Sequence, residues 1–142
     1  MKKEFSRAWK SSKQPRKQRK YVHNAPLNIK RALMSCNLSK ALRNIYKRRS
    51  FKVKVKDRVK VLRGENANKT GEISKISFKD SKVYIVGIAR KKVNGTEVQI
   101  PFHPSNLQIT ELDLKDTKRE KAIKRTQKKE KKEAKEETAK KE

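Results

Sequence analysis

The chain has 142 residues, 42 of them Lys or Arg against 15 acids, for a net charge of +27 with only 32% apolar residues. So polar a chain cannot bury all of itself, and a surplus this large opposes compaction by self-repulsion unless a polyanion neutralises it. No apolar run approaches the roughly 18–20 residues of a membrane-spanning helix, no apolar signal core follows the basic start, and the lone Cys36 makes no intrachain disulfide, so an intracellular setting is expected.

Charge is unevenly spread. Residues 1–56 hold 19 basic residues and one acid, residues 57–110 hold 10 and 5, and residues 111–142 hold 13 and 9. These read as a basic N-terminal extension, a central globular unit and a charged tail.

From Phe5 to Lys20 the chain is polar, basic and aperiodic, with Pro15 inside it. Alone in water this stretch is expected to be disordered. A short helix is predicted over 26–35, with Pro26 at its first position and Asn37 as a stop. Ser39 caps a second over 39–47, where Leu42, Ile45 and Tyr46 share a face. Both are shorter than the ~12–15 residues needed for marginal stability in isolation, so they require a partner surface.

The middle segment is β. Val53, Val55, Val59 and Val61 alternate with basic residues, the period of a half-buried strand. In the run from Glu72 to Phe78 the apolar positions switch from odd to even, which predicts a bulge or strong twist. Val83 to Ile88 is nearly continuous and is expected to be central. Asn94-Gly95 is a hairpin signal. Val98, Ile100 and Phe102 alternate up to Pro104, and Leu107 and Ile109 make a short last strand. Five short strands in so small a segment favour a closed barrel, because closure removes exposed edges. Beyond Asp116 the chain is rich in Lys, Glu and Ala, with Ile123 its only large apolar residue. Helix propensity there is high but no apolar stripe exists, so a frayed or RNA-supported helix fading into a disordered tail is expected.

The stretch from Asp57 through Gly64 and Gly71 to Ile76 resembles the KOW motif, a strand–loop–strand unit of small SH3-like barrels. Gly64 and Gly71 bracket a loop that must turn tightly, and the missing side chains leave room for a phosphate backbone. Two positions depart from the usual motif. Lys56 stands before the Asp where glycine is frequent, and Asn68 stands where the loop often has another glycine. Asn tolerates the left-handed region, so the loop shape can survive.

The flanks narrow the resemblance. Ser12 to Lys20, Ala25-Pro26-Leu27, Leu33-Met34-Ser35, Leu38-Ser39 and Arg48-Arg49-Ser50 match, in order, the extension of one family. So do Arg90-Lys91-Lys92 with Asn94-Gly95-Thr96, and Pro101 through Leu107. That family is universal large-subunit ribosomal protein twenty-four in its archaeal and eukaryotic form, and the match runs from about Lys3 to Leu114. The resemblance implies a mainly β SH3-like barrel and a non-enzymatic structural protein of the cytoplasmic ribosome. It further implies binding to the 5′ region of large-subunit rRNA, early entry into assembly, a place near the peptide exit and neighbouring ribosomal proteins as partners.

Charge and spacing nominate the RNA contacts. Arg7, Lys10, Lys13, Arg16, Lys17, Arg19 and Lys20 form an arm that either threads between rRNA helices or stays a solvated tail. Arg31 lies on the mixed apolar and basic surface of the first helix, and Arg48 and Arg49 offer bidentate guanidinium groups ahead of the first strand. Arg63, Asn66, Asn68 and Lys69 belong to the Gly64–Gly71 loop. Arg90, Lys91 and Lys92 enter the hairpin, which could equally be a solvated face. Trp9 and Tyr21 either stack on bases or pack on the barrel. His103 either donates to RNA or caps a turn, the turn being favoured, and His23 is undecided. Asp57 is read as a turn cap.

Cys36, His23 and His103 lack the local spacing of a zinc site, and nothing resembles a nucleophile–base pair, so neither metal, cofactor nor small-molecule substrate is expected. Two rivals stay open. A KOW-type transcription or regulatory factor bound to RNA polymerase usually carries a second globular domain and a less basic surface, and a chromatin-like binder would prefer duplex DNA.

Overall fold

The computed structural model describes residues 5–125, and period-two apolar runs set its framework. Eight strands form: β1 (Ser35–Leu38), β2 (Ser50–Lys52), β3 (Arg58–Val61), β4 (Thr70–Ser77), β5 (Lys82–Ile85), β6 (Ala89–Lys91), β7 (Glu97–Gln99) and β8 (Leu107–Glu111). With them come helices α1 (Pro15–Asn24), α2 (Leu27–Leu33) and α3 (Lys40–Tyr46), a 3-10 turn at Pro104–Asn106, and a helical stretch over 117–125, α4.

Six strands make one mixed sheet in the order β2-β1-β8-β3-β4-β5, while β6 and β7 pair as a separate hairpin. The last strand in sequence is therefore central in space. β8 has β1 parallel on one side and β3 antiparallel on the other, so that Leu38 and Val59 both sit opposite Ile109. The outer edge of β5 is closed by two backbone hydrogen bonds of 2.8 Å between Val83 and Phe102. The fold is mainly β and of the small SH3-like barrel type, as expected. Its core is Met34, Cys36, Leu38, Val59, Val61, Ile73, Val83, Ile85, Leu107 and Ile109, each at most 1% exposed. Burial of each large aliphatic among them is worth about 1.5–3 kcal/mol.

The expected bulge is present, as a register shift between Ile73 and Lys75 where β4 meets β5. The hairpin at Asn94-Gly95 also forms, with a loop longer than the two-residue type. Lys92 N donates to Thr96 O, and Gly95, at φ 80, takes the left-handed position of a three-residue loop.

Other expectations are corrected. The Val53–Val61 run is not one strand: residues 53–57 turn, Val55 is exposed, and β3 begins only at Arg58. The turn is enforced by Asp57, whose Oδ2 accepts from the Lys54 amide at 2.9 Å, and by Lys56 at φ 72. The first predicted helix stops at Leu33, because Met34, Cys36 and Leu38 alternate and bury as β1 and its approach. Val83–Ile88 is not a central strand. β5 ends the strand order, and its burial owes much to Phe102 covering its edge.

The last part of the aperiodic arm is helical. Pro15 opens α1, where its missing N–H costs nothing. The preceding residues fold back over it: Gln18 Nε2 donates to the carbonyls of Trp9 and Ser12 at 3.0 and 2.6 Å, and the Phe5 and Tyr21 rings lie 5.2 Å apart. The tail, too, is docked over its first part. Arg119 and Ile123, one helical turn apart, are buried at 3% and 5%, so a charged residue supplies half of the stripe that hydropathy lacked. The expected disorder toward Glu142 lies outside the described residues.

Candidate nucleic-acid interface

The strand–loop–strand unit is held by short backbone bonds. Asn68 N donates to Val61 O at 2.8 Å and Val61 N to Lys69 O at 2.9 Å, which close the loop between β3 and β4. Three positions give it shape. Gly64 has φ 94 and open space where a side chain would stand, as its tight turn requires. Asn68, at φ 67, occupies the left-handed region that Asn tolerates. Gly71 serves otherwise than expected, since its φ is not positive. A Cβ there would stand 2.5 Å from Ile85 Cγ2 and 3.0 Å from Val86 O, so this glycine lets β5 lie close against β4.

The loop and the hairpin, separate in sequence, converge on one cleft of about 920 Å³. Arg63, Glu65 and Asn66 line it from the loop side, and Arg90, Lys91 and Lys92 from the hairpin side. Its floor is apolar: Val98, Ile100, Pro101 and Phe102. The floor residues were not nominated as contacts by the sequence, although their alternation was visible. Asn68 and Lys69 stand outside the lining. Lys69 Nζ donates to Asn66 Oδ1 at 2.9 Å and so holds the residue that does line it. His103 Nδ1 accepts from the Ser105 amide at 3.3 Å and lies 2.8 Å from Ser105 Oγ, capping the 3-10 turn that leads into β8.

On the arm, Arg7, Lys10, Lys13, Arg16, Arg19 and Lys20 are exposed and Lys17 is half-buried. Trp9 neither lies on the barrel nor stands bare: the Lys17 and Lys20 ammonium groups sit 5.8 and 5.6 Å from its ring centroid. Such cation–π contacts fix two of the arm's charges above one ring. Arg31 lies over the Phe78 ring at 5.3 Å. Arg49 is exposed, whereas Arg48 turns inward, 4.8 Å over Phe51 and bonded to Ala122 O at 3.4 Å.

Behind these surfaces lies a polar hub that the sequence reading saw only as a turn cap. Asp57 is fully buried. Besides the Lys54 amide it accepts from the Asp113 amide at 3.1 Å and from both terminal nitrogens of Arg119 at 2.5 and 2.7 Å. Arg119 also donates to Asp113 O and Lys52 O, and only its Nε is buried without a partner. The hub ties β2, the β3 turn, the end of β8 and α4 together.

A small SH3-like barrel with a glycine-shaped loop beside a basic hairpin, fronted by a basic arm, defines a KOW-type barrel protein with a strongly basic surface. The sequence model of the family that unites eukaryotic ribosomal protein L26 with its archaeal counterpart matches residues 12–126. The large ribosomal subunit protein uL24 of Methanothrix thermoacetophila is 49% identical over 110 residues, spanning 78% of this chain and 95% of that one. Those of Methanosarcina barkeri and Methanospirillum hungatei are each 45% identical over 112 residues, spanning 79% of this chain and 97% and 93% of theirs. The chain belongs to this ribosomal protein family, in its archaeal form, and is a structural component rather than an enzyme.

Proposed function

We propose that this protein is a structural constituent of the cytoplasmic large ribosomal subunit that binds the 5′ region of its rRNA, assists early subunit assembly and sits near the peptide exit. The convergence of Arg63 and Asn66 with Arg90, Lys91 and Lys92 on one cleft carries the RNA reading. The rim, four cations against the single carboxylate of Glu65, suits phosphates, and a guanidinium can bond them bidentately. The apolar floor suits unstacked bases, which are what sequence-specific RNA recognition engages. Arg7, Lys10, Lys13, Arg16, Arg19 and Lys20 add a second charged surface along the arm. The family membership gives these surfaces their context.

The test is co-sedimentation with large subunits through moderate salt, together with a footprint of the purified protein on large-subunit rRNA. Protection within the 5′ region is expected. Recovery of the protein only from ribosome-free fractions would refute the reading.

A further inference from the structure

A second cleft, of about 640 Å³, lies between β2 and α4. Its lining brings together Arg48, Lys52, Lys54, Lys118, Arg119 and Arg125, with Arg31 at the margin and Asp116 as the sole carboxylate among the lining residues. Asp116 is ion-paired with Lys54, and Asp57 beneath the cleft neutralises Arg119. The other cations line the same cleft with no further carboxylate among the lining residues, so they repel one another in the free protein, most of all at low salt. The fold nevertheless builds this convergence from two remote parts of the chain. α4 does so by carrying two stripes. Arg119 and Ile123 turn inward, while Lys118, Ala122 and Arg125, at helical spacing, turn to the cleft, where Ala122 leaves room between the two cations. A buried guanidinium with an unpartnered Nε stands in the same wall.

We infer that this cleft is a phosphate-binding site for one RNA strand, separate from the loop–hairpin cleft and formed only when α4 docks on β2. This rests on the proposed rRNA binding and assigns Lys52, Lys118 and Arg125 to it. The occupant is backbone phosphate rather than a base. The ring in the cleft, Phe51, already carries the guanidinium groups of Arg48 and Arg119 at 4.8 and 5.2 Å, and the hydroxyl of Ser50 lines the wall as a further donor.

The experiment measures the salt dependence of binding by the full chain to a 5′-region rRNA fragment. The triple variant Lys52→Ala/Lys118→Ala/Arg125→Ala is compared with a control triple, Lys75→Ala/Lys79→Ala/Lys82→Ala, which removes the same charge away from the cleft. All three cleft positions are exposed, and thermal melts of both variants check that the fold survives. Each lost phosphate contact lowers the log–log slope by about 0.7–0.9. The cleft triple is therefore expected to lose about 2–3 in slope, and the control less than half as much. Equal losses in the two triples would show that only net charge matters and would overturn the site. A wild-type chain that fails to bind the fragment would instead overturn the rRNA reading beneath it.

Discussion

Asp57 receives four hydrogen bonds in a place where water does not reach. A buried ion pair is a poor source of net stability, because desolvating both charges offsets their attraction, but removing one partner strands the other. Asp57→Ala is therefore expected to destabilise the fold by about 3–5 kcal/mol in urea titrations. A double variant, Asp57→Ala/Arg119→Leu, should recover much of that loss by leaving no charge unpaired. The neighbouring Lys56 is held at φ 72, in a conformation costing an L residue about 1–2 kcal/mol. Lys56→Gly should raise stability by about 0.5–1 kcal/mol after the greater freedom of unfolded glycine is counted. Asn68→Gly, at a similar φ of 67, should be closer to neutral, since Asn already tolerates that region. Cys36 offers a pH test. Burial, aided by the Asp57 carboxylate, pushes its thiol from 9.0 up to about 12, while Sγ donates to Pro104 O. Below pH 9 the thiol is neutral in both states and its contribution is complete. Between 9 and 12 only the unfolded chain ionises, so stability falls by up to about 1.4 kcal/mol per pH unit. A Cys36→Ala variant should lose less than the wild type on crossing pH 9, and equal losses would place the titration elsewhere.

At the scale of elements, the legible parts were those where one period governs a whole run. Alternation at Val59 and Val61, the odd-to-even switch after Ile73 and the Asn94-Gly95 turn each gave their structure in advance. The misreadings of β1, β5 and α4 share a cause: a partner distant in sequence decided the outcome. β1 is a four-residue strand whose pairing with β8 crosses about seventy positions, and nothing local separates Met34, Cys36 and Leu38 from a helix end. α1 depends on residues 5–14 folding back on it, and α4 on Asp57. The loop–hairpin cleft was half legible, since its charged rim was nominated residue by residue, whereas its apolar floor and its convergence needed the fold. Gly71 shows the same limit. It reads as a turn residue, yet the fold uses it for the close approach of β4 and β5. Gly71→Ala would drive Cβ into Ile85 and the Val86 carbonyl, and overpacking of that kind costs about 1–3 kcal/mol. The melting temperature should drop accordingly, whereas Gly95→Ala, with nothing within 4 Å, should lose only what its φ of 80 demands.

For the whole molecule, charge is both the main functional resource and a standing liability. Nineteen basic residues precede Asp57 with a single acid among them, and those within residues 5–24 are mostly exposed. Such a surface repels itself in the free protein and is relieved by a polyanion. The two consequences can be separated with one variant. Arg16→Ala/Arg19→Ala/Lys20→Ala removes three charges from α1 and one of the two lysine contacts on the Trp9 ring, while sparing the other, from Lys17, as well as Tyr21, which packs on Phe5, and Gln18, which ties the preceding residues down. In the free protein at low salt this variant should be as stable as the wild type or slightly more so, because Ala favours helix and repulsion falls. On the rRNA fragment it should bind more weakly, with the salt slope reduced by about 2–3 if all three residues meet phosphate. A lower affinity with an unchanged slope would mean that α1 contributes by packing rather than by charge. An unchanged affinity would mean that the arm points away from the RNA and that the clefts alone carry the binding.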